Sequence, residues 1–179
     1  MLGVPLRLET EPNLFSPNKL DEGTLAMLSR VVFTPGDKVL DLGCGYGAVG
    51  ILAAKIIGPG RVCLLDNDPL AVACARRNLE LNGVAGAKCL LGDGFRDFAE
   101  TGFTKILCNP PYHVDFSVPR HLIEKGFNRL LVGGAMWIVT KREAWYRNKL
   151  RSVFGGSRAH NAGGYFVFEA IKKSASYAK

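Results

Sequence analysis

Short runs of apolar residues alternate with segments of helical periodicity along most of the chain. The apolar runs span five to seven residues and show little polar alternation, which predicts strands that are buried on both faces. The segments between them repeat apolar residues every three or four positions and end near glycine, as helices do. We predict strands at residues 38–42, 61–65, 87–91, 104–108, 135–140 and 165–171, and helices at residues 24–32, 48–57, 69–82, 119–131 and 142–154.

The order of these elements predicts the fold. Strands that alternate with helices favour a parallel sheet that is covered by helices on both faces. We therefore expect an α/β, Rossmann-like doubly wound sheet in a single domain over residues 1–179, with residues 1–37 as an N-terminal extension. Two weaker patterns, at residues 6–9 and 157–160, predict short strands, and the second would pair antiparallel with the last strand.

Four polar or glycine-rich segments follow the ends of predicted strands. They are residues 43–47, residues 66–68, Asp93 and residues 109–112. In doubly wound sheets, ligands bind beyond the carboxyl ends of the strands, near the point where the strand order reverses. We therefore expect these four segments, which are distant in sequence, to form one binding site.

The glycine-rich segment fits more than one class of protein. Gly45, Gly47 and Gly50 satisfy the G-x-G-x-x-G dinucleotide pattern, and Asp66 follows Gly47 by 19 residues, where a carboxylate would accept hydrogen bonds from ribose hydroxyls. Glycines also let the backbone approach a ligand closely at the start of a helix. Taken alone, this segment permits a nicotinamide-dependent oxidoreductase or a purely structural turn.

The Asn109-Pro110-Pro111-Tyr112 segment predicts a rigid corner at the end of the fourth long strand. The two prolines fix the backbone and remove two N–H donors, so the strand has to stop there. An amide side chain, the Pro110 carbonyl and an aromatic ring remain, and together they can hold a flat nitrogen-bearing group. A turn without a chemical role is the alternative interpretation.

The composition indicates a cytoplasmic protein. No apolar stretch reaches the length of a membrane span, and the N-terminus lacks the basic and apolar regions of a secretory signal. The cysteines are odd in number and include no Cys-x-x-Cys pair, so we expect buried, reduced thiols rather than a disulfide or zinc framework. The cysteines are Cys44, Cys63, Cys74, Cys89 and Cys108.

Charge is distributed unevenly along the chain. Residues 1–119 carry 11 Lys/Arg and 13 Asp/Glu, whereas residues 120–179 carry 12 and 3. Basic and aromatic residues share the helix predicted at residues 142–154, so the C-terminal half favours a polyanionic partner such as RNA. A solvated helix face is the alternative. The basic residues considered for phosphate contacts are Arg142, Arg147, Lys149, Arg151, Arg158, Lys172 and Lys173.

The four segments together resemble the motifs of class I S-adenosylmethionine-dependent methyltransferases. Residues 39–47 look like the first motif, residues 64–68 like the acidic second motif, and residues 91–94 like the third. Residues 109–112 are similar to the Asn/Asp-Pro-Pro-Tyr/Phe motif of enzymes that methylate exocyclic or amide nitrogens. Four motifs in the same order and spacing make the resemblance far more specific than the glycine loop alone.

A narrower resemblance is to the "methyltransferase small" family, which includes ribosomal RNA guanine-N2 methyltransferases. It is carried by residues 15–24, 109–113, 130–135 and 164–170. Well-known ribosomal members have an additional N-terminal domain that this sequence does not contain, so RNA could be held by another surface or by a partner. We expect residues 1–37 to pack near the cofactor site.

The resemblance implies S-adenosyl-L-methionine as the cofactor and a seven-stranded sheet with an antiparallel last strand. It implies that Asn109, Pro110 and Tyr112 are catalytic, and that Pro111, Tyr112 and His113 contact the substrate. No metal is implied. The cofactor-binding residues that it implies are Asp41, Gly43, Gly45, Gly47, Asp66, Asn67, Asp93 and Asn109.

The expected function is methyl transfer to an exocyclic amine of an RNA base, with guanine-N2 of ribosomal RNA as the leading substrate. The Asn109 oxygen and the Pro110 carbonyl would accept the two N–H bonds of the amine, and Tyr112 would stack on the base. We expect His113 to position the substrate, since the displaced proton can leave to water without a base. The alternatives are glutamine-N5 or adenine-N6 methylation, a nicotinamide-dependent oxidoreductase, and a non-catalytic nucleotide-binding module.

Overall fold

Strands and helices alternate along the three ranges that the computed structural model describes, residues 3–96, 98–111 and 115–178. The strands are β1 (Val39–Leu42), β2 (Val62–Asp66), β3 (Lys88–Leu91), β4 (Phe103–Cys108), β5 (Leu130–Thr140), β6 (Arg158–Ala162) and β7 (Tyr165–Ile171). The helices are α1 (Glu22–Leu28), α2 (Ala48–Ile57), α3 (Pro69–Leu81), α4 (Ser117–Arg129) and α5 (Glu143–Phe154).

The strands within the described ranges form one seven-stranded sheet in the order β3-β2-β1-β4-β5-β7-β6. The first five strands in the chain run parallel, and β7 runs antiparallel to both β5 and β6. The structure confirms the doubly wound, mostly parallel sheet with an antiparallel last strand. The chain moves outward from β1 to β3 and then returns to the other side of β1 with β4. The strand order therefore reverses between β1 and β4, where such sheets bind ligands.

The central strands are buried on both faces, and the successive residues of each strand point to opposite sides of the sheet. All four residues of β1 are buried. Val39 and Leu107 belong to the core beneath α1, α2 and α3, whereas Leu40 and Ile106 belong to the core beneath α4 and α5. Strands in this position need apolar residues on both sides, which explains why their sequences read as continuous apolar runs.

The N-terminal segment departs from the prediction at residues 6–9, which the structure describes and which form no strand there. Two asparagine side chains at the C-terminal end of α3 bind the backbone of this segment instead. Asn82 accepts the Arg7 N–H at 3.0 Å and donates to the Arg7 carbonyl at 2.6 Å. Asn78 makes the same pair of bonds to Glu9, each at 2.8 Å. The two side chains thus replace a neighbouring strand, a long-range contact that sequence periodicity does not reveal.

The first helix also differs from the helix predicted at residues 24–32. It begins two residues earlier because Asp21 caps it, accepting the Thr24 N–H at 2.8 Å. It ends at Leu28, so Val32 lies outside the helix and is 72% exposed. The buried side of α1 packs against β5 and β7. This short helix therefore covers the sheet beside the switch in strand order.

The helix predicted at residues 119–131 was expected to end near glycine, but the Gly133-Gly134 pair that follows it lies inside β5. The pairing of β4 with β5 is irregular there, because Phe103 pairs with Leu130 and Lys105 already pairs with Ala135. A Cβ at Gly134 would lie 3.0 Å from two backbone oxygens, so only glycine fits this bulge closely. The helix before it, α4, ends at Arg129, and the strand begins at once.

All five cysteines are buried and free, as the sequence predicted. Four of them lie in strands or helices, and Cys44 lies in the loop after β1. No helix in the described part of the chain is long and apolar enough to cross a membrane. The described residues also hold no group of three or more side chains arranged to bind a metal ion.

Candidate functional site

A cavity of about 710 Å³ opens at the carboxyl ends of the parallel strands. Its size is in the range of small-molecule and cofactor sites. Its walls come from the N-terminal segment, the loops after β1, β2 and β3, the corner after β4 and the start of α4. The four segments that the sequence singled out therefore meet in one place. Their members in the wall include Gly43, Gly45, Asp66, Asn67, Asp68, Asp93, Asn109, Pro110 and Pro111, and Asp41 of β1 lines the cavity as well.

The glycines of the loop after β1 serve two different purposes. Gly43 and Gly45 have φ angles of +73° and +54°, and a Cβ on either would meet nothing within 4 Å. Their backbone is open toward the cavity. Gly47 lies under the loop rather than in the cavity wall, and a Cβ there would be 3.2 Å from Leu64. At Gly50 a Cβ would lie 2.5 Å from Leu64, so this glycine lets α2 pack closely on β2.

Asp66, at the end of β2, joins two loops of the site. One carboxylate oxygen accepts the Gly45 N–H at 2.8 Å, and the other accepts the Asp68 N–H at 3.0 Å. Asp68 in turn caps α3 by accepting the Leu70 N–H at 2.8 Å. The carboxylate predicted to bind ribose hydroxyls thus also fixes the glycine loop against the second strand. Asn67 lies between them in the cavity wall and is exposed.

Asp41 is the buried carboxylate of the site, with 4% of its surface exposed. It accepts the N–H of Gly50, in the first turn of α2, at 2.8 Å. Burial raises the pKa of Asp41 to about 7, with a smaller contribution from the negative charge of Asp66, while the Gly50 N–H opposes the rise. Asp41 therefore orders the start of α2 and also borders the cavity.

Asp93 lies on the rim of the cavity, after β3. Its carboxylate is exposed and is 3.6 Å from the Arg96 guanidinium. An exposed ion pair of this kind contributes little to stability. Because the ion pair is weak and exposed, the Asp93 carboxylate is accessible to a ligand that enters the cavity from the edge of the sheet.

The corner after β4 places Asn109 and the buried Pro110 in the wall of the cavity. The amide nitrogen of Asn109 donates to a carboxylate oxygen of Asp21 at 2.8 Å and to the Thr24 hydroxyl at 3.0 Å. Both partners belong to the N-terminus of α1. The N-terminal segment thus supplies part of the site, and the sequence did not predict this contact with Asn109. Tyr112 and His113, which were predicted to contact the substrate, lie outside the described residues.

The start of α4 forms a further wall that the sequence did not assign. Ser117, Val118, His121 and Leu122 line the cavity. These positions share one helix face, and that spacing was the available signal in the sequence. Just before them, Phe116 stacks on Trp145 with ring centroids 4.5 Å apart. Trp145 is half-buried and its neighbour Tyr146 is buried, so these aromatic residues of α5 pack on the protein.

The basic surface predicted for the C-terminal half needs one correction. Lys172 is buried and donates to the carbonyls of Phe127 and Leu130 at 2.9 and 2.8 Å, so it stabilises the fold rather than contacting phosphate. Lys149 and Arg147 form ion pairs with nearby glutamates. The basic residues nearest the carboxyl end of β5 are those that directly follow it. These are Lys141 and Arg142, both exposed.

The strand order and the cavity together define the class of protein. A seven-stranded sheet of this order and direction, with a glycine loop after its first strand and a carboxylate at the end of its second, is the class I methyltransferase fold. The chain belongs to the methyltransferase small domain family, whose model matches residues 5–169. The family predicted from the sequence is thereby confirmed.

Two curated relatives illustrate the similarity. The "Ribosomal RNA small subunit methyltransferase C" of Pseudomonas putida is 33% identical over 173 residues, which cover 94% of this chain and 52% of the relative. The "Ribosomal RNA large subunit methyltransferase G" of Aeromonas salmonicida is 32% identical over 179 residues, covering 96% of this chain and 48% of that protein. The chain thus spans about half the length of these relatives.

A solved structure of another ribosomal RNA methyltransferase is also similar to this chain. The 16S rRNA N2 methyltransferase of T. thermophilus, determined in complex with AdoMet and guanosine, is similar with a TM-score of 0.82 and 29% sequence identity. The similarity covers 92% of this chain and 46% of that protein. The likeness in structure therefore extends over nearly the whole chain and, again, about half of the relative.

Proposed function

We propose that this chain is an S-adenosylmethionine-dependent N-methyltransferase whose acceptor is an exocyclic amine of an RNA base, guanine-N2 of ribosomal RNA. One observation carries the proposal: a single cavity joins the glycine loop, Asp66 and the Asn109 corner. The first two suit a cofactor with a ribose and a charged amino-acid part, and the corner suits a planar amine. Relatives that are named as ribosomal RNA methyltransferases support the RNA substrate.

The side chains present fit the cofactor. Each oxygen of Asp66 accepts one backbone N–H and keeps a further lone pair for a ribose hydroxyl. Gly43 and Gly45 offer a backbone without Cβ atoms in the way. An amino cation beside Asp41 would favour its ionised form and so lower its pKa. Asp93, on the rim, is assigned to the adenine amino group.

The acceptor is oriented by the corner after β4. The cofactor supplies a methyl group activated by a sulfonium, so the protein mainly has to direct the nitrogen lone pair toward it. In our proposal the Asn109 side-chain oxygen and the Pro110 carbonyl accept the two N–H bonds of the amine, which favours its pyramidal form in the transition state. Pro111 and Tyr112 contact the base, and Tyr112 stacks on it. His113 positions the substrate and takes no proton.

RNA reaches the site, in this proposal, across the loop after β5. Lys141 and Arg142 are exposed there, and the Arg142 guanidinium lies 4.9 Å from the centroid of the Phe116 ring, just before the α4 wall of the cavity. The charge of residues 120–179 suits a phosphate backbone. A ribosomal RNA substrate implies a cytoplasmic protein.

The test is transfer of a labelled methyl group from S-adenosylmethionine to unmodified ribosomal RNA, followed by nucleoside analysis. We expect N2-methylguanosine as the product. Asn109→Ala should reduce kcat by about 100-fold or more while cofactor affinity stays within a few-fold. Asp66→Ala should weaken cofactor binding, measured by calorimetry. Asn148→Ala, which removes an exposed amide of α5, is the matched control and should retain wild-type activity.

The possible products separate the competing functions. Labelled N6-methyladenosine would identify adenine rather than guanine as the acceptor base. Label in protein would favour glutamine-N5 methylation. Cofactor binding without transfer to any RNA or protein would point to a non-catalytic module. Wild-type cofactor affinity in Asp66→Ala would overturn the assignment of that carboxylate to the ribose.

A further inference from the structure

A carboxylate and a hydroxyl at the start of α1 bind the side-chain amide of Asn109. The Asn109 Nδ2 is 2.8 Å from the Asp21 Oδ2 and 3.0 Å from the Thr24 Oγ1. The partners are 88 and 85 residues away in sequence. Asp21 is 9% exposed and Thr24 is 8% exposed, so water competes little for these bonds. All three residues border the same cavity.

The chemistry of the carboxylate determines which way the amide points. An ionised carboxylate has no proton to donate, so only the nitrogen end of the Asn109 amide can face Asp21. The same Asp21 oxygen also accepts the Thr24 backbone N–H at 2.8 Å, which fixes the carboxylate itself. The oxygen end of Asn109 is consequently held on the side away from Asp21.

We propose that Asp21 and Thr24 are positioning residues that keep the Asn109 oxygen directed at the acceptor amine, which rests on the function proposed above. Two orientations of an Asn side chain differ by exchange of oxygen and nitrogen. In the exchanged orientation the amide would present N–H groups to the N–H groups of the substrate, donor against donor. The contact with α1 excludes that orientation before the substrate binds, so the amide needs no reorientation during the reaction.

The same residues could have two simpler roles. Asp21 caps α1, so in a purely structural role its removal would lower the stability of the protein. Asp21 and Thr24 also border the cavity, and direct contact with the cofactor would change cofactor affinity. The three roles predict different results for stability, for cofactor affinity and for the state of the Asn109 amide, so one set of variants separates them.

The experiment uses four variants at the start of α1 and a fifth, Asn109→Ser, that assigns the NMR signals. Asp21→Ser keeps a capping oxygen but is too short to bind Asn109, and Thr24→Val removes the second acceptor with little change in volume. Asp21→Asn keeps one oxygen that can accept both N–H groups, and it should recover most of the turnover that Asp21→Ser loses. Leu25→Gly is the control, because it weakens the same helix at an exposed position without touching either oxygen.

We expect Asp21→Ser to lower kcat on ribosomal RNA by about 10- to 100-fold, with the cofactor Kd within about two-fold of wild type. In two-dimensional nitrogen–proton NMR spectra of the protein without cofactor, the two protons of the Asn109 amide should shift and exchange faster with water. Asn109→Ser identifies those signals by their loss. Leu25→Gly should lower the melting temperature while keeping kcat and the Asn109 signals.

Each contrary result overturns the proposal. A cofactor Kd that rises as much as kcat falls would make Asp21 a cofactor ligand. An equal loss of kcat in Leu25→Gly would make α1 stability the cause. Unchanged Asn109 signals in Asp21→Ser would show that the carboxylate does not hold the amide. The NMR measurement needs no methyl transfer, so it tests the contact even where the wild-type protein methylates no RNA and the proposed function fails.

Discussion

Replacing Asp41 by asparagine should remove a pH dependence of stability that the buried carboxylate creates. Burial raises the pKa of Asp41 from its usual 3.8 to about 7 in the folded protein. Between these values the folded state binds one proton more than the unfolded state, so the free energy of unfolding falls as pH rises. At about 1.4 kcal/mol per pH unit, the loss amounts to about 4 kcal/mol between pH 4 and pH 7.

The measurement is urea unfolding of the wild type and Asp41→Asn at several pH values from 5 to 8, without cofactor. Asparagine resembles the protonated carboxyl group and can still accept the Gly50 N–H. The variant should therefore match the wild type most closely at pH 5 and exceed it by about 3 kcal/mol more at pH 8 than at pH 5. Asn148→Ala exchanges one neutral, exposed side chain for another and supplies the baseline.

Parallel stability curves for the wild type and Asp41→Asn would contradict this prediction. They would mean that Asp41 titrates near its usual pKa and that burial does not control that pKa. Proton release on cofactor binding tests whether the Asp41 carboxyl group lies beside the cofactor. Where an amino cation of the cofactor lies beside Asp41, cofactor binding at pH 6 should release a proton. Calorimetry in buffers of different ionisation enthalpy measures that release, and Asp41→Asn should abolish it.

Two further substitutions test the packing that supports the site. Lys172→Ala should cost about 3 kcal/mol of unfolding free energy because two buried carbonyls lose their donor, whereas Lys173→Ala, at an exposed neighbouring position, should change little. Gly50→Ala should cost about 3 kcal/mol, since its Cβ would lie 2.5 Å from a β2 side chain, while Gly60→Ala meets nothing within 4 Å and should be neutral. Chemical denaturation of all four variants checks both, and equal effects within either pair would contradict the reasoning.

The central part of the fold was predictable because its strands are buried on both faces. Such strands read as continuous apolar runs, and the helices between β1 and β4 carry clear end signals such as Asp68 before Pro69. The Gly133-Gly134 pair misled the prediction, since glycine marks both helix ends and bulges. Residues 6–9 misled it as well. Their alternating pattern fits a strand, but asparagine side chains supply their partners.

The candidate site was predictable to the extent that it depends on strand ends. The topology alone brings the carboxyl ends of β1, β2 and β4 together, and residues that follow them share one cavity whatever lies between. The contact of Asp21 with Asn109 has no such signal. It joins an irregular segment to the end of a strand across 88 residues, and only the folded chain brings the two together. The α4 wall was missed because the prediction relied on segments that follow strand ends, and these residues belong to a helix.

Three carboxylates that border the cavity bind the protein's own backbone or amide groups. Asp41 holds α2, Asp66 holds the glycine loop, and Asp21 holds α1 and the Asn109 amide. Their oxygens are therefore oriented by folding. Binding a ligand to the same oxygens then costs little free energy for ordering these side chains. It also follows that alanine at these positions removes a backbone contact together with any ligand contact that the proposed function assigns to the carboxylate. Asparagine keeps an acceptor for the backbone while it removes the charge, so the Asp→Asn variants separate the two contributions.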